Sequence, residues 1–198
     1  MDEFRDLPQL ALNLRWILRR KDPKPDSWPG ELVRLSRKSL TLTRAIGLLR
    51  GAEPTPAEVA VLIELTGFER EELLSVPLYT RELPLYAQNL RHLVESIPHG
   101  QGRDAAGRIG ITDSQLSRWR KWGDDRKPHR TNVRNLLKFH GMDPDLDLDN
   151  IPLFLSMEPI SGYAQKDWLS CRVQEMSAAE VAALYPALRK LLRHDETH

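Results

Sequence analysis

The 198-residue chain has a single cysteine, Cys171, so neither an internal disulfide framework nor a multi-cysteine zinc site can be built from it. That usage suits a reducing cytoplasm, and Cys171 reads as a small apolar filler rather than a catalytic thiol. Long hydrophobic runs are missing as well. No stretch approaches the roughly 20 apolar residues that span a bilayer. The opening MDEFRDLPQL is acidic and lacks the basic segment and apolar run of a secretory signal. Catalytic signatures are absent: there is no Walker sequence, no GxSxG, no dinucleotide fingerprint and no HExxH, and no nucleophile is placed with His129 or His140. These absences lead us to expect a soluble cytoplasmic protein that is not an enzyme, needs no cofactor and has no membrane partner.

Net charge is scarce too, at +1, while the chain is 40% hydrophobic and 29% charged, which allows one large folded domain or two small ones. The charge is unevenly spread. From Arg15 to Arg50 there are 10 basic and 3 acidic residues, a difference of +7; from Arg103 to Lys138 there are 10 basic and 4 acidic, a difference of +6. The acids gather in FEREELL and DPDLDLD, so two basic faces are expected on a near-neutral protein. The competing reading is a pair of ordinary solvated helix faces. The run DPDLDLDN lacks the glycine at position six and the glutamate at position twelve of a calcium loop, and reads as an acidic helix start or a solvated loop. The histidines at 92, 99, 129, 140, 194 and 198 show no convergent metal-ligand spacing.

One pattern occurs twice. NLRWIL from Asn13 is echoed by NLRHLV from Asn89, and SVPLY from Ser75 by NIPLF from Asn150, both about 75 positions on. A constant offset of 74 superimposes Leu42 on Leu116, Arg44 on Arg118, Pro54 on Pro128, Val59 on Val133 and Gly67 on Gly141. Two domains follow, 7–79 and 84–155, with a C-terminal extension over 156–198. Strand-type alternation is nearly absent, while apolar residues recur at three and four. The spacing predicts helices over 7–20, 29–36, 40–50, 56–66 and 69–75, and again over 85–97, 103–109, 113–122, 130–140 and 145–150. First-turn prolines at Pro29 and Pro56 and helix-ending glycines at Gly51 and Gly67 mark several boundaries.

The stretch ITDSQLSRW at 111–119 runs into RWRKW and is too polar and too basic for a core helix. Together with its flanks, GRIGITDSQLSRWRKWGDDRKPHRTNVRNLLKFHGM resembles the helix-turn-helix of the Cro/C1-type (XRE) repressor family. A first helix, 103–109, turns at Gly110 into a recognition helix, 113–122, with a proline loop at Pro128 and a further helix ending in Gly141. LVRLSRKSLTLTRAIGLLRGAEPTPAEVAVLIELTGFEREELL is similar. The glutamine common at the start of the family's first motif helix is matched by Gly102 in one copy and Trp28 in the other. The resemblance covers about 150 of the 198 residues and implies an all-α chain of two tandem five-helix, lambda-repressor-like domains. It implies double-stranded DNA as partner and a transcriptional regulator that represses by occupying promoters at the nucleoid, its two recognition helices in one chain reading two half-sites of different sequence.

A helix fits the major groove of B-DNA and reads base edges from its exposed N-terminal half. By that pattern Asp113, Ser114 and Arg118 face base edges, Arg118 as a bidentate donor to guanine. Thr112 caps the helix and holds a phosphate, Ser117, Arg120 and Lys121 share the interface, and Leu116 and Trp119 point inward. The corresponding set in the first copy is Lys38, Ser39, Thr41, Thr43 and Arg44.

In the extension, Ser177-Ala178-Ala179-Glu180 is a capping box before an apolar stripe of Val181, Leu184, Tyr185, Leu188, Leu191 and Leu192. Pro186 should kink or split this helix, and GYAQKDWLSCRVQEM before it reads as a short strand or an irregular arm. The stripe serves either to pack on the second domain or to form a homodimer. Two other functions compete with DNA reading. One is a protein-interaction adaptor, suggested by Leu40, Leu42, Ile46, Leu48 and Leu49. The other is single-stranded nucleic acid or RNA binding, with Trp28, Trp119 and Trp122 stacking on bases.

Overall fold

The structure, a computed structural model, describes residues 4, 6–121, 127–159 and 162–193. Among these it is all-helical, with no strand. The first half carries α1 (Gln9–Arg19), α2 (Trp28–Leu35), α3 (Leu42–Leu49), α4 (Pro56–Thr66) and α5 (Arg70–Ser75). The second carries α6 (Leu85–Glu95), α7 (Gly102–Ile109), α8 (Asp113–Lys121) and α9 (Arg130–Phe139). The C-terminal helices are α10 (Gly162–Glu175) and α11 (Ala178–Arg193).

Local chemistry sets these boundaries. Pro56 opens α4 behind Thr55, whose hydroxyl and the Glu58 carboxylate form a reciprocal capping box, and Gly67 closes it at φ 72°. Pro29 enters α2 in its first turn, where a missing N–H costs nothing.

Each half closes on its own core. The first gathers Leu10, Leu14, Leu18, Trp28, Leu32, Ala45, Leu48, Leu62 and Leu73; the second gathers Leu90, Leu93, Ala105, Ile109, Leu116, Trp119, Leu136 and Leu153. Burying one such leucine contributes about 1.5–3 kcal/mol. A third cluster of Leu12, Trp16, Leu78, Tyr79, Phe154 and Leu155 joins the halves. Arg15, 1% exposed, crosses the same junction: it donates from Nε to the Leu49 carbonyl at 2.8 Å and from Nη1 to the Leu155 carbonyl at 3.0 Å.

The repeat recurs in the hydrogen bonds. Asn13 Nδ2 donates to the carbonyls of Leu73 and Val76 at 2.9 and 2.8 Å, and its Oδ1 accepts from Leu78 N at 3.0 Å. Asn89 Nδ2 donates to the carbonyls of Leu148 and Ile151 at 2.9 and 2.6 Å, and its Oδ1 accepts from Phe154 N. Both asparagines are fully buried. In each half this side chain ties the first helix to the chain segment that ends the unit.

Four expectations are corrected. Residues 145–150 form turns rather than a helix, because the Asp143 and Asp147 carboxylates accept from the amides of Asp145 and Asp149, both at 2.9 Å, and so compete with the helical ladder. The segment GYAQKDWLSCRVQEM is helical, as α10, and its Cys171 is exposed rather than filling a core. Helix α11 is not split at Pro186 but continues through it. The Ser177–Glu180 capping box forms as expected. No helix among the described residues is long and apolar enough to cross a membrane.

Candidate nucleic-acid interface

Helices α7 and α8 meet through the three residues 110–112. Gly110 takes the left-handed conformation at φ 82°, which lets the Ile111 amide reach back to the Ala106 carbonyl at 3.0 Å. Thr112 then caps α8. Its Oγ1 accepts from Gln115 N at 3.2 Å, while Gln115 Oε1 accepts from Thr112 N at 2.9 Å. The partner role of Gln115 was missed in the sequence, although T-x-x-Q is the signal for it.

Two apolar side chains orient the helix. Leu116 and Trp119 are 4% and 7% exposed and enter the second core, while Asp113, Ser114, Ser117, Arg118, Arg120 and Lys121 are all exposed. Ser114, Ser117, Arg118 and Lys121 follow the 3, 4, 7 spacing and therefore share one face. The sequence-predicted set of the second copy is thus brought together on one solvent-facing helix. Trp122 lies outside the described residues. Arg103, exposed in the first turn of α7, and Arg108, whose guanidinium lies over the Phe139 ring at 5.0 Å, add cations nearby.

The first copy is built differently. Six residues, 36–41, separate α2 from α3, against three between α7 and α8. Arg37 and Lys38 take positive φ values of 49° and 66°, and Lys38 N bonds to the Val33 carbonyl at 3.0 Å. Thr41 caps α3 by accepting from Arg44 N at 3.2 Å. Matching the two capping threonines, 71 positions apart, pairs Ala45 with Leu116 and Leu48 with Trp119, and all four are buried. The constant offset of 74 instead pairs Leu42 with Leu116, yet Leu42 is 54% exposed. The longer turn shifts the register by three residues, so Gly47, and not Arg44, occupies the position of Arg118.

Arg44 is committed elsewhere. Its Nε and Nη2 donate to Glu58 Oε1 and Oε2 at 2.5 and 2.8 Å, and Nη2 also donates to the Glu53 carbonyl. Beside this guanidinium the Glu58 carboxyl falls to about 2. Lys38, Ser39 and Thr43 are exposed, the first two on the turn and not on the helix. The presented face of α3 is Leu42, Thr43, half-buried Ile46, Gly47 and Arg50, with Arg50 3.7 Å from Glu158.

Other cations of the two basic segments also have partners. Arg20 pairs with Glu82 and Arg34 with Glu31 in the first half; Lys127 pairs with Asp149, and Arg130 and Arg134 with Asp145, in the second. The acids of DPDLDLD therefore fold back onto α9 and its approach, and do not lie apart from the basic residues. No family model, curated protein or solved structure matches the chain.

Proposed function

We propose that the protein is a sequence-specific double-stranded DNA-binding transcriptional regulator, made of two tandem lambda-repressor-like helix-turn-helix domains, 7–79 and 84–155. The observation that carries this reading is α8. It is a short helix fixed by Leu116 and Trp119, entered through the Gly110 turn, and lined outward by Ser114, Ser117, Arg118 and Lys121. Those side chains supply hydroxyls for base edges and cations for guanine or phosphate, on an element of the width the major groove admits. Repression follows from occupying a promoter, with no cofactor involved.

The homodimer contact in this reading is the C-terminal extension. Leu184, Tyr185 and Leu188 of α11 are 46%, 60% and 45% exposed on one stripe among the described residues. A second reading, the protein-interaction adaptor, draws on exposed Leu42 beside Ile46 in the first copy. Single-stranded binding has less to draw on, because Trp28 and Trp119 are 0% and 7% exposed and their rings are unavailable for stacking.

The test is selection of bound duplexes from a randomised pool with the full-length chain at near-physiological salt, where nonspecific phosphate attraction is weak. An enriched sequence is the expected result. Absence of any enrichment would remove the regulator reading in favour of the adaptor.

A further inference from the structure

We infer that base reading resides in the second copy alone, through α8, and that the first copy holds its partner DNA without reading it. The inference rests on the DNA-binding reading and sharpens it. When the capping threonines Thr41 and Thr112 are matched, the outward quartet Ser114, Ser117, Arg118 and Lys121 of α8 corresponds to Thr43, Ile46, Gly47 and Arg50 of α3. Base edges are distinguished by donors and acceptors that reach into the groove. On α3, Ile46 and Gly47 bring none, and Leu42 ahead of them presents an apolar side chain that is 54% exposed.

Apart from Thr43, the polar side chains of α3 and of its C-cap have partners. Arg44 holds both oxygens of Glu58 and the Glu53 carbonyl, and Glu58 in turn accepts from the Thr55 amide at 2.7 Å as part of the α4 capping box. Turning Arg44 toward a base would break a bidentate pair and leave the Glu58 carboxylate without its cation. Arg50 lies 3.7 Å from Glu158. Thr43 is the one exposed side chain of α3 proper with a hydroxyl to offer.

What the first copy presents instead lies on the turn. Arg37, Lys38 and Ser39 are exposed in succession, and a cation on a turn beside a helix start suits phosphate, which positions a protein without carrying sequence. Each chain thus delivers one reading helix and one phosphate-holding turn. Two unequal half-sites per chain are not expected; one contiguous block of read positions is.

The experiment is duplex selection with three full-length proteins, each first checked for an unchanged circular dichroism spectrum and melting temperature. They are the wild type, the α8 variant Ser114→Ala/Arg118→Ala/Lys121→Ala, and the α3 variant Leu42→Ala/Thr43→Ala/Ile46→Ala. The wild type should enrich one block. The α8 variant should lose it, with affinity for the selected duplex falling by about tenfold or more toward that for random DNA, while the α3 variant should enrich the same block as the wild type. Two wild-type blocks, one of them lost in the α3 variant, would overturn the inference and leave DNA reading standing. Loss of the block in the α3 variant alone would also overturn it. No enrichment by the wild type would remove the DNA reading, and the inference with it. Should the α3 triple variant melt early, Thr43→Ala alone, on an exposed side chain, makes the same discrimination.

Discussion

Arg44 and Glu58 form a bidentate ion pair, with Nε to Oε1 at 2.5 Å and Nη2 to Oε2 at 2.8 Å, that ties the first turn of α3 to the first turn of α4. The pair holds the Glu58 carboxyl at about 2, chiefly through the hydrogen bonds from Arg44. A carboxylate whose pKa is depressed in the folded chain adds stability above its unfolded value, near 4.3, and loses it as pH falls toward 2. Arg44→Met should therefore melt below the wild type at neutral pH, and the gap should narrow as pH falls from about 4.3 toward 2. Urea unfolding of both proteins across that range checks this, and a gap independent of pH would deny the pair its role. If base reading resides in α8 as proposed, the same substitution should leave the selected DNA sequence unchanged.

The buried asparagines make a sharper prediction about folding. Asn13→Ala or Asn89→Ala strands two carbonyls and one amide without partners, at about 1–3 kcal/mol for each buried group left unsatisfied. Aspartate is worse at either position: it has no N–H to give the carbonyls of Leu73 and Val76, or of Leu148 and Ile151, and it brings a charge into a site with 0% exposure. Chemical denaturation should rank wild type above alanine above aspartate in both halves. A silent substitution at either site would show that the two clasps are not equivalent.

The turn before α3 carries strain. Arg37 and Lys38 both occupy the left-handed region, where a non-glycine residue costs roughly 1–2 kcal/mol. Glycine at position 38 should raise stability by up to about 1 kcal/mol. If the turn holds phosphate, Lys38→Gly should weaken binding to all duplexes alike and lower the slope of log affinity against log salt by about one. A more stable protein with lower, sequence-independent affinity is the expected pair of outcomes. Unchanged affinity with raised stability would make Lys38 a bystander.

Much of this architecture is legible in the residues. Helix α4 spans 56–66 as expected because Pro56, the Thr55–Glu58 box and Gly67 are strong and local signals. The polar face of α8 is legible for a similar reason, since Leu116 and Trp119 alone among its described residues are apolar. Pairing within the first copy was not legible, because the offset of 74 was carried across a turn that is three residues longer than its counterpart. The capping threonines held the clue: T-L-T-R and T-D-S-Q start their helices at the same place. Ion pairs such as Arg134 with Asp145, 3.3 Å apart across the loop that follows α9, depend on how that loop folds back and leave no pattern in the sequence.

Acid should act on the second half through His140. This ring is 2% exposed, neither nitrogen makes a hydrogen bond of normal geometry, and burial pushes its pKa down to about 4. His92 is lowered further, to about 3, by enclosure, with the Arg19 guanidinium and His140 itself adding to the effect. For a histidine depressed in the folded chain, the unfolded chain takes up protons first. Stability is then complete above about 6.5 and declines as pH falls toward 4. His140→Leu should shrink the loss of stability between pH 7.5 and 5 without abolishing it, because His92 still contributes. Equal losses in the two proteins would place the acid sensitivity elsewhere.

If each chain carries one reading helix, a symmetric operator demands two chains, and the C-terminal helices are where a second copy would attach. Six of the seven large apolar side chains most exposed among the described residues lie on α10 and α11: Trp168, Leu169, Val173, Leu184, Tyr185 and Leu188. Leu184 and Leu188 are one helical turn apart, so charge at both cuts the stripe at its centre. Sedimentation velocity should find the wild type dimeric and Leu184→Glu/Leu188→Glu monomeric, with the same helical content, since neither residue supports a core. The monomeric variant should still enrich the same block of bases, at lower affinity and without its inverted repeat. A wild type that stays monomeric at tens of micromolar would free this stripe from self-association and break the link between dimerisation and a palindromic site.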